Sequence, residues 1–203
     1  MFRVNIHSHS PMPDGAKIIV ANHPTTSDPF IITSISNGQA SILIKDVLFN
    51  IPLFGKYLRW AQHIPVSFKK GREAFEQALD LLKRGRSIVV FIEGDISPAD
   101  FRDCKPRTGA VRLALSSGAT IVPVGIGVKK ENIVRLNSVI RGRKDTGTWY
   151  FKGPYAITVG RSLNYLGSVE NKKRVRNLSE KLMREVNHLA EESGRRISLM
   201  SQI

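Results

Sequence analysis

His23 and Asp28 stand five residues apart in Asn22-His23-Pro24-Thr25-Thr26-Ser27-Asp28, directly after the apolar run Ile18-Ile19-Val20. A neutral imidazole can take a proton from a hydroxyl when its other ring nitrogen is held in one tautomer, and a nearby carboxylate does that holding. The pair therefore has the residue types for general-base chemistry where a strand turns into a helix. The same residues also suit a plain helix start, with Ser27 or Asp28 as N-cap, Pro29 in the first turn and His23 in the loop. The two uses are compatible: one carboxylate oxygen can cap while the other meets the imidazole.

A second group of candidates follows Ser87-Ile88-Val89-Val90-Phe91-Ile92, a run apolar on both faces that predicts a strand in the middle of a covered sheet. It ends in Glu93-Gly94-Asp95-Ile96-Ser97-Pro98. Ligands of open α/β sheets gather outside the carboxyl ends of strands, so Glu93 and His23 can face one cleft. The alternative is a turn with Glu93 merely solvated. Lys105-Pro106-Arg107-Thr108-Gly109-Ala110 then leads into a helix with two cations beside its first turn, where exposed amides favour phosphate. Ile121-Val122-Pro123-Val124-Gly125-Ile126 reads as a strand interrupted by proline, which points to an edge or a bulge.

The elements that must position these residues alternate along the chain. Strands are expected near 16–21, 40–45, 63–67, 86–92, 120–127 and 155–160, and helices near 28–36, 52–61, 71–84, 107–117 and 170–192. The alternation makes this an α/β chain, read as a single domain over 1–203 with a mixed, mostly parallel central sheet flanked by helices. The clearest helix follows Gly71, with Ala74, Phe75, Ala78, Leu79, Leu81 and Leu82 on one face and Lys83-Arg84-Gly85 as a cationic, glycine-stopped end. The stretch 129–154 is the least regular.

The chain has 203 residues and a formal net charge of +14. The charge is uneven: net +2 over residues 1–100 and +12 over 101–203. An anionic partner follows, and composition alone leaves nucleic acid, an acidic membrane leaflet and phosphorylated substrates open. Cys104 is the single cysteine, so no intrachain disulfide forms. No apolar run reaches membrane-spanning length and no export signal opens the sequence, so neither is expected. Zinc-ligand spacings and nucleotide-binding glycine loops are also missing, so no metal and no redox cofactor are expected.

The order of blocks carries a resemblance. His23-x4-Asp28, then Ile64-Pro65-Val66, then Phe91-x-Glu93-Gly94-x-x-Ser97, then Lys105-x-x-x-Gly109-Ala110, then Ile121-Val122-Pro123-Val124 resembles the glycerolipid acyltransferase family, the PlsC-like lysophosphatidate acyltransferases, over about residues 17–128. The resemblance implies acyl transfer from a thioester, acyl-CoA or acyl-carrier protein as co-substrate, to a hydroxyl of a lysophospholipid in phospholipid biosynthesis. It implies His23 as base, oriented by Asp28, with no covalent intermediate. It also implies Glu93 and Gly94 at the acceptor and Val122, Pro123 and Val124 on the acyl-donor side. The family's third block usually reads Glu-Gly-Thr-Arg-Ser, whereas Asp95 and Ile96 stand here, so the arginine expected at the acceptor phosphate is gone and Asp95 would repel that phosphate. The second block lacks its usual Asp-Arg, so cations must come from Lys69, Lys70 or Arg72, or from Arg102, Lys105 or Arg107 in the next loop. These departures suggest an acceptor other than lysophosphatidate, a lysolipid with a different head group.

Attachment to an anionic membrane surface, peripheral and on the cytoplasmic side, is expected to use 129–154. There Lys129, Lys130, Arg135, Arg141, Arg143, Lys144 and Lys152 surround Trp149-Tyr150-Phe151. The opposing expectation is a solvated loop with the aromatics turned inward. The apolar stretch Val47 to Trp60 is a second candidate, either lining an acyl tunnel, wetting the bilayer, or packing on the sheet. A rival from another class is a basic nucleic-acid-binding protein, which leaves the ordered blocks unexplained.

Overall fold

The computed structural model describes residues 2–36, 40–67, 70–96, 104–140 and 143–200. Lys69, Ser97, Arg102 and Arg141 of the sequence analysis lie outside them, and the side chains of Arg143 and Lys144 are likewise not described. In chain order the elements are β1 (Phe2–Ser8), β2 (Lys17–Ala21), α1 (Asp28–Ile32), β3 (Ala40–Lys45), α2 (Phe54–Trp60), β4 (Ile64–Val66), α3 (Gly71–Lys83), β5 (Ser87–Phe91), α4 (Gly109–Ser117), β6 (Thr120–Val128), β7 (Ile133–Ile140), β8 (Arg143–Tyr150), β9 (Gly153–Val159) and α5 (Lys172–Met200). Short 3-10 turns cover Thr33–Ser36 and Asp46–Asn50.

Seven strands form one sheet in the order β1-β9-β6-β2-β5-β3-β4. All neighbouring pairs are parallel except β6 with β9. The expected mixed, mostly parallel α/β architecture is therefore the observed one. The apolar strands β2 and β5 lie side by side in its middle, where both faces are covered. On one face Ile18, Val20, Ile88, Val90 and Ile121 pack against α3, α4 and α5. On the other, Ile19, Ala21, Val89, Phe91, Val122 and Val124 pack under α1 and the residues around Tyr150 and Tyr155.

Three expectations need correction. β6 is neither an edge nor a bulge: it sits between β2 and β9. Proline is tolerated there because the Pro123 carbonyl accepts from the Gly160 N–H (2.9 Å), one residue beyond β9, so the missing donor falls where the partner strand leaves the ladder. The stretch 129–154 is not irregular, since β7 and β8 pair antiparallel from Ile133↔Tyr150 to Ile140↔Arg143. β1 was missed, although Phe2, Val4 and Ile6 alternate with polar residues in the period of a strand.

Gly125 and Gly127 explain how α5 reaches the sheet. A Cβ on Gly125 would run into the Leu189 and Ala190 backbone, and one on Gly127 would meet Gly194 N at 2.7 Å. The helix thus lies directly on β6.

Candidate active site

β2 ends at Ala21 and its next residues deliver His23 beside the end of β5, with the imidazole stacked on Phe91 at 3.9 Å between centroids. His23 Nδ1 lies 2.9 Å from Asp28 Oδ2. The Asp28 carboxylate is fully buried. Its Oδ2 also accepts from the Thr25 N–H (2.7 Å), and its Oδ1 accepts from the Thr25 hydroxyl (2.6 Å) and the Tyr155 hydroxyl (2.9 Å). A carboxylate surrounded by donors leaves Nδ1 to carry the imidazole hydrogen, so Nε2 keeps its lone pair and can accept a hydrogen bond. The expected helix cap is absent: neither Ser27 nor Asp28 caps α1 with its side chain, because both are engaged elsewhere. Ser27 Oγ accepts from the Tyr150 N–H (3.0 Å), and Thr26 bonds Thr148 on the same strand. The hairpin β7–β8 is thereby stitched to the loop that carries the histidine.

Sequence reasoning missed Tyr155. It sits on β9, distant in sequence from Asp28, and a single tyrosine in an apolar strand gives no local sign of its partner. Burial, then the neighbouring Asp28 charge and hydrogen bond, push its phenol well above the usual range, so it remains a hydrogen-bond donor.

Glu93 is buried rather than solvated, and its Oε2 accepts the His23 backbone N–H at 2.9 Å. It braces the histidine loop. Gly94 adopts φ +78°, and a Cβ there would meet Arg107 Cγ at 2.8 Å, so the arginine stem lies across the Glu93-Gly94 turn. Arg107 is anchored by its own N–H to the Ile92 carbonyl (2.8 Å). A second cation was also missed: Lys45, at the end of β3, pairs with Asp95 at 3.0 Å. Burial pushes the Asp95 carboxyl up, but hydrogen bonds from Lys45 and the Ile96 N–H, with the charges of Lys45 and His23, outweigh this and hold it below its ordinary value. Asp95 is thus not a lone repelling anion.

The remaining predicted cations among the described residues are exposed at the surface. Arg72 is 92% exposed and pairs along α3 with Glu76 (3.0 Å), and Lys70 and Lys105 are exposed as well. Val122, Pro123 and Val124 are buried in β6, and Val122 and Val124 pack in the cluster that holds Ala21 and Phe91.

The sequence model of the acyltransferase family matches residues 3–127, more than half of the chain. The chain belongs to the acyltransferase family. Lysophosphatidylcholine acyltransferase of Drosophila melanogaster is 27% identical over 146 residues, which are 68% of this chain and 23% of that protein. The chain thus spans less than a quarter of that relative's length. The crystal structure of the 1-acyl-sn-glycerophosphate (LPA) acyltransferase PlsC from Thermotoga maritima shares the fold, with a TM-score of 0.64 over 91% of this chain and 72% of that one at 23% identity. The acyltransferase family match covers every block on which the resemblance was based, from His23 to Val124.

Proposed function

We propose that this acyltransferase moves a fatty acyl group from an acyl-CoA or acyl-carrier-protein thioester to a free hydroxyl of a lysophospholipid. The observation that carries the reading is the imidazole fixed by a buried carboxylate at 2.9 Å, with its other nitrogen directed away from that carboxylate. His23 Nε2 takes the hydroxyl proton as the acceptor oxygen attacks the thioester carbonyl. The C–S bond then breaks, and the thiolate leaves with the proton returned by His23. Asp28 holds the ring and offsets the imidazolium charge between these steps. Arg107 and Lys45 flank the Glu93-Gly94 turn and suit an acceptor phosphate.

A second acceptor is favoured by one feature. The exposed Asp95–Lys45 pair offers both signs of charge, which fits a zwitterionic head group better than a bare phosphate monoester. The relative from Drosophila is named for such an acceptor, and the PlsC structure for the other.

The test is thiol release from palmitoyl-CoA in mixed micelles, with lysophosphatidate and lysophosphatidylcholine compared as acceptors. Acceptor-dependent release is expected, and His23→Ala should lower kcat about 10²–10⁴-fold while leaving acceptor KM unchanged. Release that survives in His23→Ala would remove the general base from the proposal.

A further inference from the structure

His7 and His9 lie two residues apart at the end of the edge strand β1, and Glu192 comes from α5. The His9 N–H donates to the Val159 carbonyl (2.9 Å), which continues the β1–β9 ladder past Ser8. Residues two apart on a strand share a face, so both imidazoles point the same way. His7 pairs with Thr158, whose hydroxyl meets Ser193 of α5 at 2.6 Å, so that face is the α5 side. Nitrogen atoms of both rings and a carboxylate oxygen of Glu192 all lie within 4.8 Å of one another. His9 Nε2 is 2.9 Å from Glu192 Oε2, and the two rings stand edge to face at 5.6 Å.

We propose that His7, His9 and Glu192 form a zinc site that clasps the edge strand β1 to the helix α5. Two imidazoles and one carboxylate are a donor set for a borderline cation such as Zn²⁺, not for the all-oxygen shells of Mg²⁺ or Ca²⁺. Three protein ligands leave a fourth position to water. Arg196 completes the arrangement. Its guanidinium is fixed by Asn5 Oδ1 (3.0 Å), Thr158 Oγ1 (3.0 Å) and the Ile157 carbonyl (2.7 Å), and lies 3.5 Å from Glu192 Oε1. It occupies that oxygen and leaves Oε2 to face His9, as outer partners of a ligating carboxylate do. Its positive charge beside the carboxylate also lowers the affinity for a cation.

The site is separate from the acyltransferase cleft, on the opposite face of the sheet and three strands from β2. No spacing rule could have found it, because the third ligand is 183 residues from the second. What it does is mechanical: β1 is one of the two outermost strands of the sheet, and its outer edge is covered by no other strand among the described residues. A metal bond to α5 would hold that strand in register.

The experiment uses tag-free, chelator-treated full chain, dialysed against zinc chloride, with bound zinc measured and β1 followed by amide hydrogen exchange. Binding of about one zinc per chain is expected, with slowed exchange over residues 2–8. His9→Ala and Glu192→Gln should each weaken binding about tenfold or more, with circular dichroism unchanged. Absence of stoichiometric binding overturns the site. So does binding that His7→Ala, His9→Ala and Glu192→Gln all leave intact, which would locate the metal elsewhere.

Discussion

Asp28 is where the largest number of constraints meet. Its two oxygens receive the Thr25 amide and hydroxyl, the Tyr155 hydroxyl and the His23 ring, all within 2.9 Å, and the residue is fully buried. Such a carboxylate cannot rotate, and neither can the imidazole it holds. In the proposed mechanism Tyr155 acts through Asp28, to which it donates its hydroxyl hydrogen bond, and is therefore a positioning residue. Tyr155→Phe keeps the ring in its core position and removes one donor. Loss of a partner from a buried charged group costs about 1–3 kcal/mol, and about 1.4 kcal/mol on the barrier is tenfold in rate. A fall in kcat of about tenfold with acceptor KM unchanged is expected from steady-state kinetics. A kcat equal to wild type would mean that Thr25 alone fixes the carboxylate. Gly94 is the other constrained position: its positive φ and the Arg107 stem leave no room for a side chain.

At the scale of elements, the strands in the middle of the sheet were legible as strands because their apolar runs are long and flanked by turn signals. β2, β5 and β6 span the residues their sequences predict, although Pro123 wrongly pointed β6 to an edge. The hairpin β7–β8 was not legible: its partners mix Arg135, Asn137, Thr146 and Thr148 with apolar residues, so neither strand shows a clean period-two alternation. The site shows the same division. His23 and Asp28 are close in sequence and were found by spacing, whereas Tyr155 and Lys45 reach it through the sheet order and carry no local signal. Contact between α5 and β6 was also invisible, since it depends on glycines that only a neighbouring backbone makes necessary. Gly125→Ala places a methyl into Leu189 and Ala190. Overpacking of this kind costs about 1–3 kcal/mol, read in thermal unfolding as about 2–4 °C for each kcal/mol in a chain of this size. An unchanged Tm would show that α5 can slide along the sheet.

The whole molecule is asymmetric about its sheet. α3, α4 and α5 cover one face, while the other carries the histidine loop, α1 and the stitched hairpin. Around that second face the apolar groups are left in solvent: Phe30 is 53% exposed, Leu53 78%, Tyr57 47% and Trp60 81%. Rings of Phe30, Phe54, Tyr57 and Trp60 follow one another at 6.3–6.5 Å as a continuous ladder from α1 along α2. Leu53 has a positive φ of 62°, a conformation that costs a leucine about 1–3 kcal/mol. Across the face, the rings of Trp149 and Phe151 stack at 5.8 Å, Phe151 exposed and Trp149 half-buried, while Tyr150 turns inward. No described helix is long and apolar enough to cross a membrane. An exposed aromatic ladder on a chain of net charge +14 suits the headgroup layer of an anionic bilayer. Wild-type protein should therefore pellet with vesicles containing anionic lipid and release as salt rises, because screening weakens the basic contacts. Each large apolar side chain withdrawn from water contributes about 1.5–3 kcal/mol when fully buried. The double variant Leu53→Glu with Trp60→Glu should lose at least about tenfold in partitioning, half-burial of each being enough for that. Its thiol release from palmitoyl-CoA with a monomeric, short-chain lysolipid should stay at the wild-type rate, since neither residue touches His23 or Asp28. Partitioning unchanged in the double variant would move the contact to the hairpin, and indifference to both salt and anionic lipid would remove the membrane from this face altogether.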